Sequence, residues 1–346
     1  MAHKYRNRLA AAIRYLISGR YPPGERARNP DFDIPPIGEK EIAEAKTFFS
    51  MEKFFIFGHA RSGTTLLTRL IRLHYKVHCN YQGHFFTRPP LLQSLVSDEK
   101  IQSWLTRRSN RWNRGKNPSP VILRAAVDFI LEREAKSLGK SIVGDKSPNS
   151  LLNGKAVRLL NNIYPDARLI YIVRDGRDAV VSHRFQSFID ATQHLSEHDW
   201  KIRETFINDP ESFINGKNSI FTEKGLRRSA QGWDLNVRET VEIGKALFND
   251  RFYSLKYEHL VENPLEELPL LWNFLNAGEP QTDIQELIAN EMQSNPDADW
   301  QNQKAGEIAS ALQKGKRGNW EQYFNNNDRR IFEEIAGNTL KNWGYI

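Results

Sequence analysis

The chain has 346 residues, enough for one large domain or two small ones, and 19 Phe, 11 Tyr and 8 Trp can build a core. Its 49 Lys and Arg against 42 Asp and Glu leave a formal charge of +7, which favours nucleotides, nucleic acid, acidic peptides or anionic glycans as partners, or serves solubility alone. Cys79 is the only cysteine, which excludes an intrachain disulfide and any need for an oxidising compartment.

From the N-terminus, a basic opening leads into an apolar run at residues 9–18 that Arg14 interrupts. It is too short to span a bilayer and lacks a cleavage site, so a helix packed on its own domain is expected rather than one lying on a membrane surface. A cytoplasmic enzyme is the expectation. Pro22, Pro23, Pro30, Pro35 and Pro36 then mark an irregular arm. Residues 1–50 are read as N-terminal helix and arm, and residues 51–346 as the main domain.

Phe54-Phe55-Ile56-Phe57 is a buried strand stopped by Gly58, and Leu66, Leu67, Leu70 and Ile71 keep helical spacing directly after it. Strand, glycine turn and helix recur. Residues 141–144 form a strand followed by Asp145-Lys146-Ser147-Pro148 and a helix over about 151–162. Residues 168–173 form the strongest strand, with a helix starting near Asp175, and residues 251–256 form another strand. Strands alternating with helices imply an α/β fold with a parallel sheet flanked by helices. Residues 98–138 and 190–248 are polar and helical, and are expected to form a cap over the carboxyl edge of the sheet.

Gly58-His59-Ala60-Arg61-Ser62-Gly63-Thr64-Thr65 has the frame of a phosphate-binding loop between strand and helix. Its backbone N–H groups and the helix N-terminus form an anion cradle. The nucleoside-triphosphate version places Lys after the second glycine and then a Mg²⁺-binding hydroxyl. Here that position is Thr64, and the cation lies inside the loop as Arg61. A forked guanidinium suits an oxygen-rich group bound without a metal, unless Arg61 only pairs with a carboxylate.

Two further segments fit the same ligand. Arg174 leaves the strongest strand, and Ser182 lies two turns into the following helix. Alone, the segment also reads as a Walker-B-like strand ending in Asp175, or as an ordinary core strand. Lys314-Gly315-Lys316-Arg317-Gly318-Asn319-Trp320 is a basic glycine loop, either a generic turn or a lid on a phosphate.

Together and in this order, these segments resemble the PAPS-dependent sulfotransferase family. Residues 58–67 are similar to its 5′-phosphosulfate loop, in the Arg form of protein-tyrosine and bacterial sulfotransferases. Arg174 to Ser182 is similar to its 3′-phosphate motif. The segment 314–320 is similar to its C-terminal phosphate loop, with Gln313 in place of Arg and Asn319 in place of Asp. Tyr257-Glu258-His259-Leu260 is similar to a segment whose Tyr lies against the nucleotide. The resemblance implies in-line transfer of a sulfuryl group from PAPS, leaving adenosine 3′,5′-bisphosphate, to a hydroxyl or amine. It implies nucleotide contacts from Arg61, Ser62, Gly63, Thr64, Thr65, Arg174, Ser182, Tyr257, Lys314, Gly315, Lys316 and Arg317. Lys146 is either a second cation of the site or a partner of Asp145. His84, in Gly83-His84-Phe85-Phe86, is either the base that deprotonates the acceptor or a packing residue.

The sequence does not name the acceptor; a small molecule, glycan or peptide is expected, and no specific nucleic acid. The basic, Trp-containing stretch 104–116 either receives it or is a solvated helix face. His74/His78 and His194/His198 have the i, i+4 spacing of helical metal ligands but lack further partners, and no metal is expected. A Mg²⁺-dependent phosphotransferase and a non-catalytic nucleotide or RNA binder are the rival readings.

Overall fold

The computed structural model describes residues 33–87, 92–107, 109, 113, 116–294, 308 and 317–346. The expected N-terminal helix lies outside the described residues. A helix, α1 (Glu39–Phe48), does form within the arm that was expected to be irregular. The prolines end at Pro36, and the backbone N–H of Gly38 donates to the Glu41 carboxylate at 2.7 Å, closing the helix start.

Five strands follow: β1 (Glu52–Gly58), β2 (Val77–Tyr81), β3 (Ile142–Lys146), β4 (Arg168–Val173) and β5 (Phe252–Lys256). They form one parallel sheet in the order β2-β3-β1-β4-β5. In β1 the side chains alternate between two cores. Phe54 and Ile56 enter one, and Phe55 and Phe57 the other, as burial on both faces demands of a central parallel strand. Strand β2 has no counterpart in the sequence reading, because Val77-His78-Cys79-Asn80-Tyr81 mixes polar residues into a short edge strand.

On the first face lie α2 (Thr64–Ile71), α10 (Tyr257–Glu262), α11 (Pro264–Phe274) and α12 (Ile284–Gln293). On the second lie α5 (Ser119–Ser137), α6 (Lys155–Ile163), α7 (Gly176–Asp190), α9 (Glu223–Phe248) and α14 (Asn326–Asn342). Thus α5 and α9, which fall in the stretches expected as a cap, instead cover the sheet. In α5, Leu123, Val127 and Leu131 repeat every four residues and bury one stripe. The shorter α3 (Ser94–Ser97), α4 (Glu99–Leu105), α8 (Glu197–Asn208) and α13 (Trp320–Tyr323) complete the α-helices of the described residues.

The strand register sets the site. Tyr81 pairs with Lys146, Ile56 with Lys146, Gly58 with Ile172, and Val173 with Lys256. All five strands therefore end on one edge, and the segments after them start there side by side. Ligands in open parallel sheets bind at this carboxyl edge.

Candidate active site

The loop 59–63 joins β1 to α2. Arg61 and Gly63 have φ of 69° and 84°. A left-handed backbone is natural for glycine and strained for arginine, so the surrounding structure must hold Arg61 there. Gly63 is needed for a second reason. A Cβ built on it would lie 2.1 Å from Cδ2 of Tyr257, whose ring closes against the loop. The Ser62 N–H donates to the carbonyl of His59 at 3.1 Å. The buried Ser62 Oγ has no hydrogen-bond partner among the described residues. The first N–H groups of α2 have no intrahelical acceptor, so they face outward from the loop as anion donors.

Three cations from different segments gather at this loop and the first turn of α2. Arg61 Nε donates to Ser182 Oγ at 3.0 Å, which brings the first and second motifs together. Arg174 Nη1 donates to the Arg61 carbonyl at 3.2 Å, and its guanidinium carbon lies 5.0 Å from the centre of the Tyr257 ring. Lys146 Nζ donates to Thr65 Oγ1 at 3.3 Å. Lys146 is fully buried, and burial pulls its ammonium below the usual lysine range. No carboxylate pairs with it among the described residues, Asp145 included. The Lys146 charge is met by the more distant Asp145 carboxylate and by the Tyr81 ring, 5.3 Å from Nζ, rather than by a salt bridge.

Asp145 and Lys146 diverge because neighbours on a strand point to opposite faces. Asp145 instead accepts from the Gly83 N–H at 2.9 Å and from Ser147 Oγ at 2.6 Å. Burial pushes its carboxyl up to about 6. His84 follows β2 and sits against the same segment, its N–H donating to Ser147 Oγ at 2.8 Å. Its Nδ1 lies 2.9 Å from Thr87 Oγ1.

Of the C-terminal loop, Lys314, Gly315 and Lys316 lie outside the described residues. The N–H groups of Gly318 and Trp320 donate to the Asp178 carboxylate at 2.8 and 3.0 Å. The Arg177 guanidinium stacks on Trp320 at 3.9 Å. The end of this loop is therefore fastened to α7, the helix that carries Ser182. Arg317 pairs with Glu262 at the surface.

The histidine pairs do not sit as helical ligand pairs. His74 lies in the turn after α2 and bonds the Gly278 carbonyl at 3.2 Å, whereas His78 lies in β2 and bonds Asn80 Oδ1 at 2.8 Å. His194 ends a short 3-10 turn and His198 belongs to α8. Much of the stretch 104–116 lies outside the described residues.

Several residues of the site escaped the sequence reading. Glu258 accepts from the Asp175 N–H at 2.9 Å and from Tyr345 Oη at 2.8 Å, bracing the end of β4. Trp233 Nε1 donates to the Arg174 carbonyl at 3.2 Å. Asp178 and Ser147 belong to motifs already singled out, but their roles depend on which distant N–H groups fold against them.

Sulfotransferases recur among the known proteins that this chain is similar to. Protein-tyrosine sulfotransferase of Drosophila melanogaster is 27% identical over 233 residues, covering 66% of this chain and 38% of that protein. This chain therefore matches well under half the length of that relative. A flavonol sulfotransferase-like protein of Flaveria bidentis is 26% identical over 252 residues, 68% of this chain and 75% of that protein. Among solved structures, mouse sulfotransferase SULT7A1 complexed with PAP superposes with a TM-score of 0.45 at 15% identity, covering 89% of this chain and 94% of that one. The model of the sulfotransferase family matches residues 53–281, a span that holds the glycine loop 58–65, Lys146, the Arg174–Ser182 segment and Tyr257, and the chain belongs to that family.

Proposed function

We propose that this chain transfers the sulfuryl group of PAPS to the hydroxyl of a small-molecule, glycan or peptide acceptor. The observation that carries this reading is the convergence on one loop. Arg61 lies within it, Arg174 bonds the Arg61 carbonyl, and Lys146 bonds Thr65. The residues fit an adenosine 3′-phosphate 5′-phosphosulfate. The loop 61–65 with Lys146 suits the 5′ end, and Arg174 and Ser182 the 3′-phosphate.

When bound, PAPS supplies an electrophilic sulfuryl group and a phosphate leaving group. Arg61 and Lys146 hold fixed positive charge beside the first turn of α2, where developing negative charge is stabilised without reorganisation. His84 takes the proton of the acceptor hydroxyl, its ring oriented by the Nδ1 contact with Thr87. The names of the two relatives, a protein-tyrosine and a flavonol enzyme, make a phenolic hydroxyl the first acceptor class to test. A phenol has a pKa of about 10, within reach of an imidazole base.

The test is a thermal shift with adenosine 3′,5′-bisphosphate beside ADP and ATP, with and without Mg²⁺. A transfer assay from labelled PAPS to phenols, sugars and tyrosine peptides follows. The bisphosphate should stabilise most, with no Mg²⁺ requirement. A larger, Mg²⁺-dependent shift with ATP would assign the loop to phosphotransfer instead.

A further inference from the structure

The turn between β2 and the following loop is held in an unusual way. Gln82 and His84 both have left-handed backbones, with φ of 53° and 49°. Such conformations persist in residues with side chains only where neighbours over-determine them. Here three successive N–H groups are captured by three successive residues of one segment. Gln82 N–H donates to the Lys146 carbonyl at 2.6 Å, Gly83 N–H to Asp145 Oδ1 at 2.9 Å, and His84 N–H to Ser147 Oγ at 2.8 Å. Ser147 Oγ in turn donates to Asp145 Oδ2 at 2.6 Å, so the two side chains act as one unit.

A cavity of about 240 Å³ runs along the turn, lined by Asn80, Tyr81, Gly83, Phe85 and Asp145 among others. Gly83 is closed in by the Phe85 ring and the carboxylate together, since a Cβ there would lie 2.5 Å from Phe85 Cε2 and 2.8 Å from Asp145 Oδ1. Keeping Asp145 buried is unfavourable, as its raised carboxyl shows. The same segment sends Lys146 to the opposite face and onto Thr65 of the phosphate loop.

We infer that Asp145 and Ser147 are positioning residues for His84, setting the base relative to Lys146 and the phosphate loop through the left-handed turn 82–84. The inference rests on the reading of His84 as base. The segment Asp145-Lys146-Ser147 then has two roles. Lys146 faces the transferred group, while its two neighbours place the group that takes the acceptor proton.

The test is a double-mutant cycle on the full chain. Single-turnover transfer from PAPS to a phenolic acceptor is measured for wild type, Asp145→Asn, His84→Ala and the double variant, with titration of each by adenosine 3′,5′-bisphosphate. Asp145→Asn should lower turnover about 10–100-fold, as a misplaced catalytic group does, with nucleotide affinity within about twofold of wild type. In the His84→Ala background it should have no further effect, because its role passes through that residue. Hydrogen exchange of the Gly83 and His84 amides should be faster in Asp145→Asn. Ser147→Ala should act in the same direction and carries the test if Asp145→Asn does not fold. Multiplicative losses in the double variant, or unchanged turnover in both Asp145→Asn and Ser147→Ala, would overturn the inference and leave the base reading standing. Wild-type turnover in His84→Ala would overturn both.

Discussion

Arg61 and Ser182 are 121 positions apart in the chain, yet Arg61 Nε donates to Ser182 Oγ at 3.0 Å. This contact joins the loop after β1 to the helix after β4, and it is available because Gly58 and Ile172 share a register position in neighbouring strands. A guanidinium so held is fixed in one rotamer, which is the preorganisation that the proposed electrostatic role of Arg61 requires.

Arg61→Ala should lower single-turnover transfer about 10²–10³-fold and weaken adenosine 3′,5′-bisphosphate much less, because the product lacks the sulfuryl group. Arg61→Lys should restore part of the rate, since it returns the charge without the fork that reaches Ser182. Equal losses in rate and product affinity would place Arg61 on the nucleotide instead.

Arg174→Ala should weaken adenosine 3′,5′-bisphosphate about tenfold or more, the effect of losing one charge-assisted hydrogen bond. AMP, without the 3′-phosphate, should be affected much less. Isothermal titration of both nucleotides checks this, and a parallel loss for AMP would show that Arg174 acts only through its bond to the Arg61 carbonyl.

Gly63→Ala combines a left-handed backbone at φ 84° with a Cβ 2.1 Å from the Tyr257 ring. It should destabilise the fold by about 1–3 kcal/mol. Adding Tyr257→Ala should relieve the clash but not the backbone strain, so urea midpoints should recover only in part.

The Asp145 carboxyl titrates near 6 in the folded chain, above its ordinary value of 3.8, because of burial. Between those values the folded state binds more protons than the unfolded state, so this group's contribution to stability is present below about pH 4 and is lost as pH rises through about 6. The stability of wild type relative to Asp145→Asn should therefore fall over that window. Urea unfolding of both proteins from pH 4 to 7 measures it, and a constant difference would refute the shift.

Asp178→Ala should release the Gly318 and Trp320 N–H groups and loosen the C-terminal loop from α7. Faster hydrogen exchange of the Gly318 and Trp320 amides and weaker binding of adenosine 3′,5′-bisphosphate are expected, each partly reversed in Asp178→Asn, which keeps an acceptor oxygen.

Local pattern by itself determined the βα frame of this protein and its phosphate loop. The apolar run 54–57, the glycines at 58 and 63 and the helical spacing of Leu67, Leu70 and Ile71 are decided within a few residues, because strand and helix periodicities are properties of neighbouring positions. The same is true of Arg61 and of the Arg174–Ser182 spacing. Tertiary structure alone decided what those residues touch. It turned Lys146 toward Thr65 and Asp145 toward Gly83, placed α5 and α9 on a sheet face rather than over its edge, and paired the polar strand β2 with β3. It also fastened Gly318 and Trp320 to Asp178, 140 and 142 positions away. Partners at such separations are selected by strand order, register and the packing of buried faces, and none of these is encoded in the residues adjacent to either one.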